Sequence, residues 1–119
     1  MEERRTIPRK YLMAYSSVYI QSTGRMLGYL SDLTLGGLMV IGKESIKIGR
    51  EIDLHIDLPE MPSIDEKFLR IKARVVRCQP DLDPRLFNIG FEFLDLSDHE
   101  KPIIAQMIES YEFRREDNN

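Results

Sequence analysis

Three stretches of this chain alternate apolar and polar residues one for one. Across 51–58, Ile52, Leu54, Ile56 and Leu58 interleave with Glu51, Asp53, His55 and Asp57. Leu69, Ile71, Ala73 and Val75 interleave with Arg70, Lys72 and Arg74, and Phe87, Ile89, Phe91 and Phe93 with Asn88, Gly90 and Glu92. A period of two belongs to extended backbone, whose successive side chains point to opposite faces. Each run therefore predicts a strand with one buried and one wetted face, the pattern of antiparallel sheets. Weaker patterns over 11–20, 26–33 and 37–42 bring the number to six. Turn-forming clusters separate them: Ser22-Thr23-Gly24-Arg25, Gly36-Gly37, 42–49, 59–66 and 79–84. Six short strands in 119 residues must bury their inner faces against one another, and closing the sheet leaves few bare edges. The expected fold is mainly β: a six-stranded antiparallel β-barrel over 11–96.

The period changes after the last strand. Ile103, Ile104, Met107, Ile108 and Tyr111 share one helical stripe, and Ser97-Asp98-His99-Glu100 fits a capping box. This predicts a C-terminal α-helix over 97–115, with 116–119 a short charged tail. Pro102 is awkward for a cap at Ser97 and points to a start nearer Lys101. The stripe suits a lid on one barrel end, or a surface for a partner or a second copy of the chain, so monomer and homodimer both stay open.

The net charge of −3 is unevenly spread. Residues 1–10 hold Arg4, Arg5, Arg9 and Lys10 against Glu2 and Glu3, so that segment is +2 and the remainder −5. An acidic body is poorly suited to tracking a nucleic-acid polymer, which calls for an extended basic face. A short basic arm on such a body suggests a small anion held at one place. Neither the opening residues nor any later run has the apolar length of a secretion signal or a membrane span. The lone Cys78 forms no internal bridge. A cytoplasmic chain is expected.

Two motifs bear on chemistry. In Arg5-Thr6-Ile7-Pro8-Arg9, the proline holds Ile7 extended, and guanidinium groups bind phosphate oxygens or the O6 and N7 edge of guanine. In Asp32-Leu33-Thr34-Leu35-Gly36-Gly37, a carboxylate can accept from guanine N1–H and N2–H₂. The Thr34 hydroxyl can donate to phosphate, and the glycines let a ligand approach the backbone. Taken singly, one is a solvated basic terminus and the other a polar turn. A hairpin turning at 22–25 would bring them together, pairing residues whose numbers sum to 47, with Lys10 facing Gly37 and Thr34 facing Met13.

Arg5-xxx-Arg9 with Asp32-x-Thr34-xx-Gly37 resembles the signature of the PilZ family, bacterial receptors for the second messenger cyclic di-GMP. The resemblance runs from about Glu3 to Leu96, with Asn88 to Phe93 similar to the family's last barrel strand. It implies a six-stranded PilZ-type barrel with a C-terminal helix. It also implies a cyclic di-GMP site built from Arg5, Arg9, Asp32, Thr34 and Gly37, with 1–10 a flexible arm that orders on the ligand. Thr34 stands where the family usually has serine; the hydroxyl survives, and binding is expected to persist, weakened by about 1 kcal/mol. Arg4, just before the motif, resembles the arginine of members that take up a stacked pair, implying two ligand molecules per chain.

No catalytic arrangement, phosphate-cradling loop, calcium loop or zinc ligand set is visible; His55 and His99 stand apart from other metal-type ligands. The expectation is a receptor, not an enzyme, with no cofactor and no metal, signalling to a downstream protein. Two alternatives come from other classes. One is a protein-interaction adaptor that keeps the barrel without nucleotide binding, to which Thr34 lends some support. The other is a single-strand binder using Arg70, Lys72 and Arg74, which lack the interleaved aromatics that role requires.

Overall fold

The computed structural model describes residues 16–117, with side chains described through Ser110. Six strands follow in order: β1 (Ser17–Ile20), β2 (Met26–Leu33), β3 (Gly37–Gly42), β4 (Glu51–Asp57), β5 (Phe68–Pro80) and β6 (Phe87–Phe93). One helix, α1 (Glu100–Asp117), follows them. The strands close a barrel in the order β1-β2-β3-β6-β5-β4, every neighbouring pair antiparallel. The six-stranded antiparallel barrel with a C-terminal helix is the fold expected from the alternation.

The alternating runs deliver the core. Ile52, Leu54 and Ile56 of β4, Leu69, Ile71, Ala73 and Val75 of β5, and Ile89 and Phe91 of β6 are all buried. They pack with Val18, Leu30, Leu33, Leu38 and Val40 from β1 to β3. Fully burying an aliphatic side chain of this size stabilises the fold by about 1.5–3 kcal/mol. On the outer face Asp53 lies opposite Lys72, and His55 opposite Arg70. Arg74 bonds Glu92 at 2.7 Å and Glu51 at 3.1 Å, and these carboxylates, Glu51 foremost, hold its guanidinium above its ordinary pKa. Within the basic stripe of β5, Arg74 is thus paired with a carboxylate on each neighbouring strand.

Strand β5 runs well past the expected 69–75, through the stretch 79–80 read as turn. Its first half pairs with β4 and its second half with β6. The alternation breaks at Val76 because the pairing skips that residue, with Val75 opposite Phe91 and Arg77 opposite Gly90. Cys78 consequently turns back toward the core, and its sulfur accepts from the Ile46 N–H at 3.5 Å.

The first hairpin also departs from expectation. Ser17 faces Tyr29 and Val18 faces Gly28, then Tyr19 faces Met26, so the paired numbers sum to 46 and then 45, not 47. Leu27 is the extra residue at that shift. The expected pairings of Lys10 with Gly37 and of Thr34 with Met13 involve residues outside those described.

The capping box at the start of α1 is fully made. Ser97 Oγ accepts the Glu100 N–H at 3.2 Å, and Glu100 Oε1 accepts the Ser97 N–H at 3.0 Å. The Ser97 carbonyl takes the N–H groups of Glu100 and Lys101, which closes the first turn before Pro102, a residue with no N–H to give. Regular helix starts at Glu100 and continues to Asp117, into the stretch expected as tail. Ile103, Ile104 and Met107 are buried in the same cluster as the barrel core. These three side chains thus pack within one chain, and Met107 is not free to form a dimer seam. Met107→Ala should lower the unfolding free energy by about 2–5 kcal/mol, read from urea denaturation, without changing the oligomeric state measured by light scattering.

Candidate ligand site

The chain passes from β2 to β3 through Thr34-Leu35-Gly36, and the side chain of Thr34 organises that turn. Its Oγ1 accepts from the N–H groups of Gly36 at 3.1 Å and Gly37 at 3.2 Å, and donates to the Gly37 carbonyl at 3.3 Å. The Thr34 N–H donates to that same carbonyl at 2.9 Å. These bonds are the reason a hydroxyl residue suits the position. Donation from Thr34 to a phosphate, as expected from the motif, would have to displace the bond to Gly37.

Gly37 begins β3 where that strand lies against β6, opposite Glu92. A Cβ at Gly37 would overlap the carbonyl oxygen of Phe91. The glycine is required by the close approach of two strands, whatever else it serves.

Asp32 reaches the surface because of a bulge. Leu30 pairs with Val40 and Asp32 with Met39, leaving Ser31 as the extra residue. Strict alternation from the buried Leu30 would turn Asp32 inward; one added residue sends it out and Leu33 in. Ser31 Oγ donates to the Met39 carbonyl at 3.3 Å, which ties down the bulged residue. Asp32 Oδ1 accepts the Leu33 N–H at 2.9 Å, and Oδ2 has no partner among the described residues.

The bulge at Val76 has the same effect on β5, directing Arg77 outward. The register then lays one row across four strands: Asp32 beside Met39, Met39 beside Gly90, Gly90 beside Arg77. This row and the Thr34–Gly37 turn border one open depression of about 500 Å³. Gly90 leaves its floor bare, and Met39 and Val76 supply apolar surface around it. Of the expected site residues, Asp32, Thr34 and Gly37 are brought together here. Arg4, Arg5 and Arg9 lie outside the described residues. Met39, Val76, Arg77 and Gly90 were not anticipated as site residues; the signals were the three-residue spacings Leu30 to Leu33 and Val75 to Cys78, where a strand should repeat every two.

Other polar clusters have local partners. His55 stacks on Phe68 with ring centroids 4.3 Å apart, meets Tyr19 edge-on at 5.5 Å, and lies 3.2 Å from Gln21 Oε1 and 3.3 Å from Asp57 Oδ1. His99 Nε2 is 2.7 Å from Glu66. Among the described residues, no three His, Cys, Asp or Glu side chains gather into a metal-sized cluster. Nor is any described helix long and apolar enough to cross a membrane.

The PilZ domain family model matches residues 3–110 of this chain. Among solved structures, the PilZ domain of YcgR from Escherichia coli, with c-di-GMP, is 16% identical with a TM-score of 0.62, over 86% of this chain and 84% of that one. A larger YcgR structure in complex with c-di-GMP has a TM-score of 0.63 and 16% identity, the match covering 86% of this chain and 42% of that one. The Bacillus subtilis inhibitor of motility (MotI/DgrA) has a TM-score of 0.66 at 16% identity, over 82% of this chain and 46% of that one. No curated protein matches significantly in sequence.

The turn bonds make Thr34 a test of structure apart from binding. Thr34→Val should lower the unfolding free energy by about 1–2 kcal/mol through loss of these hydrogen bonds, while Thr34→Ser should stay within about 0.5 kcal/mol of the parent. Urea denaturation of both variants checks this.

Proposed function

Since this chain belongs to the PilZ domain family, we propose that it is a receptor for cyclic di-GMP that acts by binding and not by catalysis. The observation that carries this reading is the single depression bordered by Asp32, Thr34, Gly36 and Gly37, within a family match that also spans Arg5 and Arg9. Arg5 and Arg9 supply charge-assisted bonds to phosphate and to the guanine edge, and Asp32 accepts from guanine N1–H and N2–H₂. Gly37 keeps β3 close to β6, so the ligand meets backbone and not a side chain. Arg4 addresses a second, stacked ligand molecule, giving two per chain.

The ligand draws segment 1–10 onto the barrel. Ordering backbone costs about 1–2 kcal/mol per residue, and several charge-assisted bonds of about 1.5–3 kcal/mol each offset that cost. The product is a new surface for a downstream protein, with the nucleotide unchanged. Two solved structures of similar fold contain c-di-GMP in YcgR, which supports the choice of ligand.

One observation favours the adaptor reading, in which the barrel contacts a protein without nucleotide. Thr34 and Gly37 both serve the fold locally, so a barrel that had ceased to bind nucleotide would still keep them. Calorimetric titration of cyclic di-GMP into the parent chain and Arg9→Ala, at a stated salt concentration, separates the two. The receptor reading expects binding at two molecules per chain, weakened at least tenfold in Arg9→Ala. A folded parent chain that gives no heat, and no binding by an independent probe, overturns it in favour of the adaptor.

A further inference from the structure

The row Asp32–Met39–Gly90–Arg77 has a charged group at each end and none between. Asp32 and Arg77 stand three strands apart, roughly 14 Å at an interstrand spacing of about 4.8 Å. We infer that Arg77 is a ligand-contacting residue, the barrel's own cation for a phosphate of the dinucleotide held across the Gly90 floor. This rests on the receptor reading above and extends it to a strand outside both sequence motifs.

Three observations converge on Arg77. It is the one cation among the described residues lining the depression. It is exposed and makes no ion pair or hydrogen bond among the described residues, in contrast to Arg74, which is clamped between Glu51 and Glu92 one row away. And it faces outward only through the Val76 bulge, a local break in pairing that sheets use to re-aim a side chain.

Charge balance gives Arg77 its task. A dinucleotide with two phosphodiesters brings two negative charges to a surface already holding Asp32, with Glu92 and Glu51 nearby sharing a single Arg74. Without Arg77 the described lining of the depression would offer a dianion the Asp32 carboxylate and no cation. A Cβ at Gly90, opposite Arg77, would lie 3.3 Å from the Arg77 Cβ, so the missing side chain gives Arg77 room to cross the floor.

Titration of cyclic di-GMP into the parent chain, Arg77→Ala and Arg77→Lys at low and high sodium chloride tests the assignment, with urea midpoints confirming that each variant is folded. Arg77→Ala should bind about tenfold to a hundredfold more weakly, the span of one charge-assisted hydrogen bond. Its affinity should also fall less steeply with salt, since one attraction is no longer there to be screened. Arg77→Lys keeps the charge and should lie closer to the parent than to Arg77→Ala. A folded Arg77→Ala that binds within twofold of the parent overturns the role of Arg77 and leaves the receptor reading standing. Equal weakness of the Lys and Ala variants overturns the charge role. Absence of binding by the parent chain removes the receptor reading, and the inference with it.

Discussion

The surface of this barrel is set by two residues that have no partner in the sheet. Ser31 in β2 and Val76 in β5 are each skipped by the pairing, and each skip inverts the side-chain direction of everything after it. Were Ser31 paired as an ordinary strand residue, the Asp32 carboxylate would enter the core beside Leu30 and Val40. Were Val76 paired likewise, the Arg77 guanidinium would do the same beside Ile89 and Phe91. An unpaired charge in such surroundings costs several kcal/mol. The two bulges therefore preserve an apolar interior and also place a carboxylate and a guanidinium on one outer row.

The rest of the site follows from how closely the strands approach. Gly37 allows β3 to lie against the Phe91 carbonyl, and the Thr34 hydroxyl gathers the turn that precedes it. Motif residues of this kind have two masters. Asp32 has no evident structural task beyond its bond to the Leu33 N–H, so its chemistry points outward. Thr34 and Gly37 hold the fold whether or not a nucleotide is present. Substituting them confounds binding with architecture, and Asp32 and Arg77 are the cleaner probes.

Much of the fold was legible because it depends on short-range pattern. The alternation in β4 and β6, the strand limits of β2 and β3, and the Ser97–Glu100 capping box all involve residues within a few positions of one another. The sum-47 register failed at the turn itself, where Tyr19 already faces Met26 with a sum of 45; the skip of Leu27 then raises the sum to 46, not 47. The length of β5 was hidden for a similar reason: the Val76 bulge breaks the period, and an apparent strand end is a strand changing partners. Of the residues bordering the depression, Asp32, Thr34 and Gly37 could be anticipated because they sit on one continuous motif. Arg77 could not, since its place depends on the β5–β6 register and on Gly90 opposite it, neither of which a local window contains.

The order of strands around the barrel has a temporal meaning. β2 and β3 are joined by a tight turn, so the Asp32–Gly37 half of the depression forms from neighbouring sequence. Its other half waits for β6, which docks against β3 only after the chain has travelled from Met39 to Gly90. Such distant pairings make closure the slow part of folding a small β-barrel. A nascent chain therefore exposes the motif well before it possesses the floor and far wall of the depression, which exists only once the last strand has arrived.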